Sequence, residues 1–148
     1  MKFQKTNAPP VTESNILNFE QTIRFGLPLD YRQFLLEHNG GVPEQDLFSI
    51  PDCNSEGLID HFLGLGREKE DLEDWMNELE GDLPEGFIPI GFDPGGNAIL
   101  MDLSDATIYY WDSARHYPQS TDDDNTFWIA NSFSDLLKSS KDSDASKQ

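Results

Sequence analysis

The sequence predicts a single α+β domain, a largely antiparallel sheet flanked by N-terminal, middle and C-terminal helices. Three observations carry this reading. Apolar residues recur at helical spacing near each end and once in the middle. Four short apolar runs between residues 87 and 130 are separated by turn-forming residues. The length, 148 residues, is that of one domain and is enough to bury a core without cross-links. Helices outside and strands between them point to segregated α and β structure.

The elements follow in chain order. Residues 1–11 read as a flexible N-terminal arm, 12–138 as the domain and 139–148 as a flexible polar tail. Thr12 can cap a first helix, in which Ile16, Phe19 and Ile23 share a face and Gly26 and Pro28 stop the run. A second helix fits Asp30 to His38, with Tyr31, Phe34 and Leu35 as its stripe and Gly40-Gly41 after it. LFSI at 47–50 and LIDHFLGL at 58–65 read as strands. REKEDLEDWMNELEG reads as a helix in which Leu72, Trp75, Met76 and Leu79 fall at i, i+3, i+4 and i+7. FIPIGF, NAILMDL, TIYYWD and TFWIA are the four later strands. Ser132 or Ser134 then caps a last helix carrying Phe133, Leu136 and Leu137.

Charge separates the classes of partner. Ten Lys and Arg stand against 28 Asp and Glu, a formal net charge of −18. Such a surface repels nucleic acid and anionic membranes. Between Glu70 and Leu137 the single formally basic residue is Arg115. The balance serves solubility, or it steers the chain toward a basic protein partner. No apolar run approaches a membrane span, and MKFQKTNAPP has no apolar stretch of the kind a signal peptide needs. One cysteine, Cys53, excludes an intrachain disulfide. Cytoplasmic location is the expectation.

The glycines of GFDPGGNAILMDL do not make a phosphate loop. No lysine follows them, and the run beyond is strand-like, so neither the Walker nor the dinucleotide pattern is met. A hairpin fits: Asp93 accepts local backbone bonds, Pro94 sets a turn φ, and Gly95 or Gly96 supplies a positive φ. Four stretches then stand in a fixed order: LPLDYRQFLLEHNGG, LPEGFIPIGFDPGGNAILMDL, IYYWD and WIANSFSDLL. That ordered set resembles the SUKH superfamily, which contains bacterial toxin-immunity proteins and a fungal cell-wall regulator. The resemblance spans about Thr12 to Leu137. It implies one antiparallel sheet with flanking helices, and a cytoplasmic antidote that binds a secreted toxin, often a nuclease. It carries over no catalytic residue. Members often place another His or acidic residue soon after the Trp-Asp of the third stretch. Here Ser113 and Ala114 come first, then Arg115 and His116.

No constellation of residues argues for catalysis. His38, His61 and His116 are far apart in sequence and lack metal-ligand spacing. His38 falls at a helix C-terminus, where a cation is favoured. Cys53 with His61 is a formal nucleophile–base pair, but a lone cysteine is ordinarily an inert small apolar residue. Asp122, Asp123 and Asp124 lack the alternating ligands and glycine of a calcium loop. The chain is therefore expected to be no enzyme, with no cofactor and no metal.

Tyr109, Tyr110 and Trp111 are consecutive on a strand, and Phe127 and Trp128 lie on the next, so aromatics must point to both sheet faces. Either both faces are covered and the rings are core, or one face presents them to a partner. The expected partner is a basic protein toxin, with the alternative of a scaffolding role like that of the fungal relatives. Expected contact residues are Asp93, Asn97, Asp102, Tyr110, Asp112, Arg115, Asp122, Asp123 and Asp124, chosen for charge and expected exposure. Asp102 above all has a competing role as a turn residue.

Overall fold

The computed structural model describes residues 3–4, 9–112 and 126–142. These form four α-helices, α1 (Glu13–Ile23), α2 (Leu29–Glu37), α3 (Leu72–Glu78) and α4 (Phe133–Ser139), with two antiparallel sheets. The smaller sheet is a hairpin of β1 (Leu47–Ile50) and β2 (Ser55–Leu58). The larger is a five-stranded meander in sequence order: β3 (His61–Phe62), β4 (Phe87–Phe92), β5 (Ala98–Asp102), β6 (Ile108–Trp111) and β7 (Thr126–Ala130). The α+β prediction holds.

Local chemistry sets most boundaries. Thr12 Oγ1 accepts from Asn15 N at 3.2 Å, and Thr12 N donates to Asn15 Oδ1 at 2.9 Å, a capping box that starts α1. The helix ends earlier than Gly26 would place it. Arg24 itself turns left-handed at φ 65° and donates its N–H to Glu20 O. Helix α3 is also shorter than the 67–81 pattern predicts. The buried Asp71 caps it by accepting from Asp74 N at 3.1 Å and also holds Gly66 N at 2.7 Å, so residues 66–71 form a tight loop. The run 58–65 is not one strand. Leu58 ends β2, Ile59 N donates to Asp46 O, and Asp60 N donates to Phe92 O, so the chain changes sheets there. The turn after β4 is the expected hairpin, with Gly96 at φ 87° and Asp93 N donating to Asn97 O.

Register assigns the two faces of the meander. The inner face carries Phe62, Ile88, Ile99, Met101, Ile108, Tyr110 and Phe127. Helices α2 and α4 pack against it: Phe34 and Phe133 each lie 5.5 Å from Phe62, centroid to centroid, and Tyr31 meets Phe133 at 5.1 Å. Ile16 and Phe19 of α1 join the same core, and Phe48 of β1 reaches Tyr110 at 5.8 Å. The described parts of both ends touch this body. Phe3 pairs with Pro43 and packs on Phe34 and His38, and Lys141 pairs with Leu47.

One buried side chain joins the inner layer to the start of α3. Asn39, 3% exposed and left-handed at φ 50°, donates from Nδ2 to Leu65 O (2.8 Å) and Pro9 O (2.9 Å). Its Oδ1 accepts from Leu65 N at 2.7 Å. Gly64 must be glycine for this approach, because a Cβ there would lie 2.2 Å from Asn39 O. Gly64 O in turn accepts from Leu72 N, the first residue of α3.

Candidate functional site

The outer face of the meander is roofed only in part. It carries Phe87, Phe92, Ala98, Leu100, Tyr109, Trp111, Thr126 and Trp128 by register. Helix α3 covers one end, where Trp75 packs on Phe92 at 4.5 Å. The segment after α3 then crosses beside the sheet with Leu79, Leu83 and Pro84. Two grooves remain. One, of about 250 Å3, lies between Trp75, Leu79 and Asp82 on one side and Phe92, Ala98 and Trp111 on the other. The second, of about 280 Å3, is lined by Leu83, Pro84, Phe87, Leu100, Tyr109, Trp111 and Thr126. Trp111 is common to both, 8% exposed, so it forms a floor rather than a projecting knob. All three tryptophans of the chain belong to this side of the sheet.

The rim is acidic. Eleven Asp and Glu and no Lys or Arg lie from Asp71 to Asp112; of these, Asp71 is buried as the cap of α3 and Asp93 is bonded to the inward-facing Tyr110, so neither belongs to the rim. Asp82 lines one groove directly. At the other end, burial and then the carboxylates of Asp105 and Asp102 push the Tyr109 phenol above its ordinary value. Glu80 and Glu85 line a third cavity of about 240 Å3 beside Leu83 and Phe87, where Arg24 is the one cation among the described lining residues.

The sequence-predicted contact residues divide into four groups. Asp93, Asn97 and Tyr110 are brought together, but onto one another. Asp93 accepts from Asn97 N (2.8 Å), from Asn97 Nδ2 (3.1 Å) and from Tyr110 Oη (2.7 Å). Tyr110 points to the inner face, and burial, followed by that bond to Asp93, drives its phenol well above the ordinary tyrosine range. Asp102 closes the β5–β6 turn by accepting from Ser104 N and Oγ at 2.9 and 2.7 Å, as its competing turn role predicts. Half-buried Asp112 follows Trp111 at the end of β6. Arg115 and Asp122, Asp123 and Asp124 lie outside the described residues.

The aromatic question is answered by strand alternation. Tyr110 and Phe127 face the core, while Tyr109, Trp111 and Trp128 face outward. The sequence reading missed the grooves because Trp75 and Leu79 look like one more core stripe. The signal in the sequence was GDLPEG, a glycine- and proline-interrupted stretch that cannot carry the helix on across a five-stranded face.

His116 lies outside the described residues. No cluster of three or more His, Cys, Asp or Glu able to hold a metal occurs among the described residues. His61 Nδ1 lies 2.7 Å from Asp60 Oδ2 at the sheet edge, and Cys53 is exposed in the 3-10 turn between β1 and β2. His38 sits at the C-terminal cap of α2 as expected, its ring tilted against that of Phe3 with centroids 4.4 Å apart. No described helix is long and apolar enough to cross a membrane.

Comparison with known proteins places this arrangement. The SPbeta prophage-derived uncharacterized protein YokK of Bacillus subtilis (strain 168) is 28% identical over 143 residues, covering 85% of this chain and 72% of its own length. The uncharacterized protein YnaB of the same strain is 29% identical over 92 residues, 62% of this chain and 50% of its own length. The model of the SMI1 / KNR4 family (SUKH-1) matches residues 10–139, a span that takes in every described helix and strand, and the chain belongs to that family.

Proposed function

We propose that the chain is an immunity protein that binds a basic toxin and blocks its active site or substrate groove. The observation that carries this reading is the outer face: aromatic side chains lining two grooves, with Asp82 in one groove wall, Asp102 and Asp105 near Tyr109, and no Lys or Arg from Asp71 to Asp112. Membership of a family that includes toxin-immunity proteins supports it. A nuclease suits the chemistry, since an enzyme that holds phosphates must be basic where it meets them. A protein of net charge −18 imitates the negative substrate and gains association rate by steering. Asp112, Arg115 and the run Asp122 to Asp124 remain in the proposed contact set.

The test is rescue. The C-terminal domain of the protein encoded beside this one is expressed in a bacterial host, and survivors are counted with and without this chain. Specific rescue, with a 1:1 complex whose association slows steeply with salt, is the expected result. Growth arrest that the chain does not relieve, with no complex at low salt, would reject the antidote reading for that partner and favour a scaffold.

A further inference from the structure

We infer that the two grooves meeting at Trp111 dock a Lys- or Arg-rich segment of a protein partner, whose apolar side chain seats between α3 and the sheet. This deepens the antidote reading and rests on it for the partner's identity, but the surface is argued from its own chemistry. Each groove has the volume of one or two large side chains, with a sheet floor that is already packed: Leu100 is 1% exposed and Ala98 1%. A preformed apolar slot of this kind loses little entropy on binding. Buried aromatic anchors ringed by less energetic contacts are where interface energy concentrates.

Charge decides what enters. Asp82 lies at one groove wall, and Asp102 and Asp105 lie near Tyr109 at the other groove. An acidic or neutral segment meets repulsion or gains nothing at that rim. A cationic one forms exposed ion pairs around a desolvated anchor, which favours fast, salt-sensitive association. A nucleic-acid strand fits the aromatic floor but not the rim, since its phosphates meet carboxylates.

The arrangement supplies its own reporter, because Trp75 and Trp111 line a groove directly. Intrinsic fluorescence of the full chain is titrated with two synthetic probes. One is a twelve-residue lysine–glycine peptide with a single central phenylalanine; the other has glycine in its place. The expected result is a saturable, salt-sensitive change with the phenylalanine peptide, at least five-fold tighter than with the control. Tyr109→Ala and Asp82→Lys should each weaken it five-fold or more. Glu37→Lys makes the same charge change at an exposed position of α2, across the sheet, and should leave it within two-fold. Thermal melts confirm that each variant folds. No saturable response, equal binding of both peptides, or undiminished binding by folded groove variants overturns the proposal.

Toxin rescue separates the two readings. Full rescue by the folded groove variants rejects the groove and leaves the antidote standing. Selective peptide binding without wild-type rescue rejects that antidote pairing and leaves the groove.

Discussion

Replacing Asn39 by alanine should destabilise the domain far more than an ordinary polar-to-alanine change, because one side chain performs three separable tasks. Its Oδ1 is the acceptor for the buried Leu65 N–H at 2.7 Å, and orphaning such a donor costs about 1–3 kcal/mol. Its Nδ2 serves Leu65 O at 2.8 Å and Pro9 O at 2.9 Å. Water can replace the amide at exposed Pro9 but not at Leu65, which adds about 1 kcal/mol. At φ 50° alanine loses about 1 kcal/mol more than asparagine, which tolerates the left-handed region. The sum is roughly 3–5 kcal/mol, against a total stability of about 5–15 kcal/mol for a domain of this kind. In urea, with a slope of about 2 kcal/mol per molar, the midpoint should fall by about 1.5–2.5 M with the slope unchanged. Asn39→Gly removes the amide without the backbone penalty and should lose about 1 kcal/mol less. A midpoint shift below about 0.5 M for the alanine variant would refute the argument. Equal losses for alanine and glycine would refute its backbone part. The functional link is position: Asn39 clamps Leu65, and its neighbour Gly64 bonds the first turn of α3, the partial roof of the outer face.

Two further outcomes follow from the tyrosines. Tyr31 is completely buried, and its hydroxyl has no hydrogen-bond partner among the described residues. Tyr31→Phe should therefore leave stability unchanged or raise it by about 1 kcal/mol, and a loss above about 1 kcal/mol in urea would reveal a bridging water or other partner. The phenols of Tyr31, Tyr109 and Tyr110 are all raised, in each case chiefly by burial. The unfolded chain then releases these protons first, from about pH 10, while the folded chain keeps them. Stability should thus be full below about pH 10 and fall as pH rises further, by up to about 1.4 kcal/mol per pH unit for Tyr31 alone. Phenolate absorbance should show fewer than half of the four tyrosines ionised at pH 10.5 in buffer but most of them in denaturant; equal curves would contradict the burial.

Where local chemistry alone decides an element, the sequence was readable. Thr12 caps α1 as its position suggests, and FIPIGF and TFWIA form strands over the very residues their patterns suggest. Where one residue serves two tertiary partners, it was not. Asp71 looks like one more acid in a charged helix, but its carboxylate holds Gly66 N as well as capping α3, and this shortens the helix. LIDHFLGL looks like one strand because its apolar content is continuous, yet its hydrogen bonds go to two different sheets. The site followed the same rule. Asp93 and Tyr110 were chosen for charge and aromaticity, properties that serve an interface or a hydrogen bond between them equally well. Only the register, with Tyr110 facing inward, places that pair 2.7 Å apart.

That register also explains how a small domain keeps an aromatic face partly open. The inner face receives α2, α4 and residues of α1, and with them nearly every fully buried large side chain. The outer face receives seven residues of helix and one proline-containing crossing. Left apolar to its edge, such a face would invite a second copy of the chain. Here a copy approaching face to face brings a second acidic rim against the first, so like charge works against self-association. The same rim offers a basic partner an attraction that a copy cannot supply. Acidity and half-buried aromatics are therefore two parts of one specificity device, and removing the acids should favour self-association at this face as well as weakening the intended complex. Asp82→Asn with Asp105→Asn, followed by sedimentation at increasing protein concentration, reads this directly. A shift toward dimer is expected, and a strictly monomeric double variant would show that the rim is not what keeps copies apart.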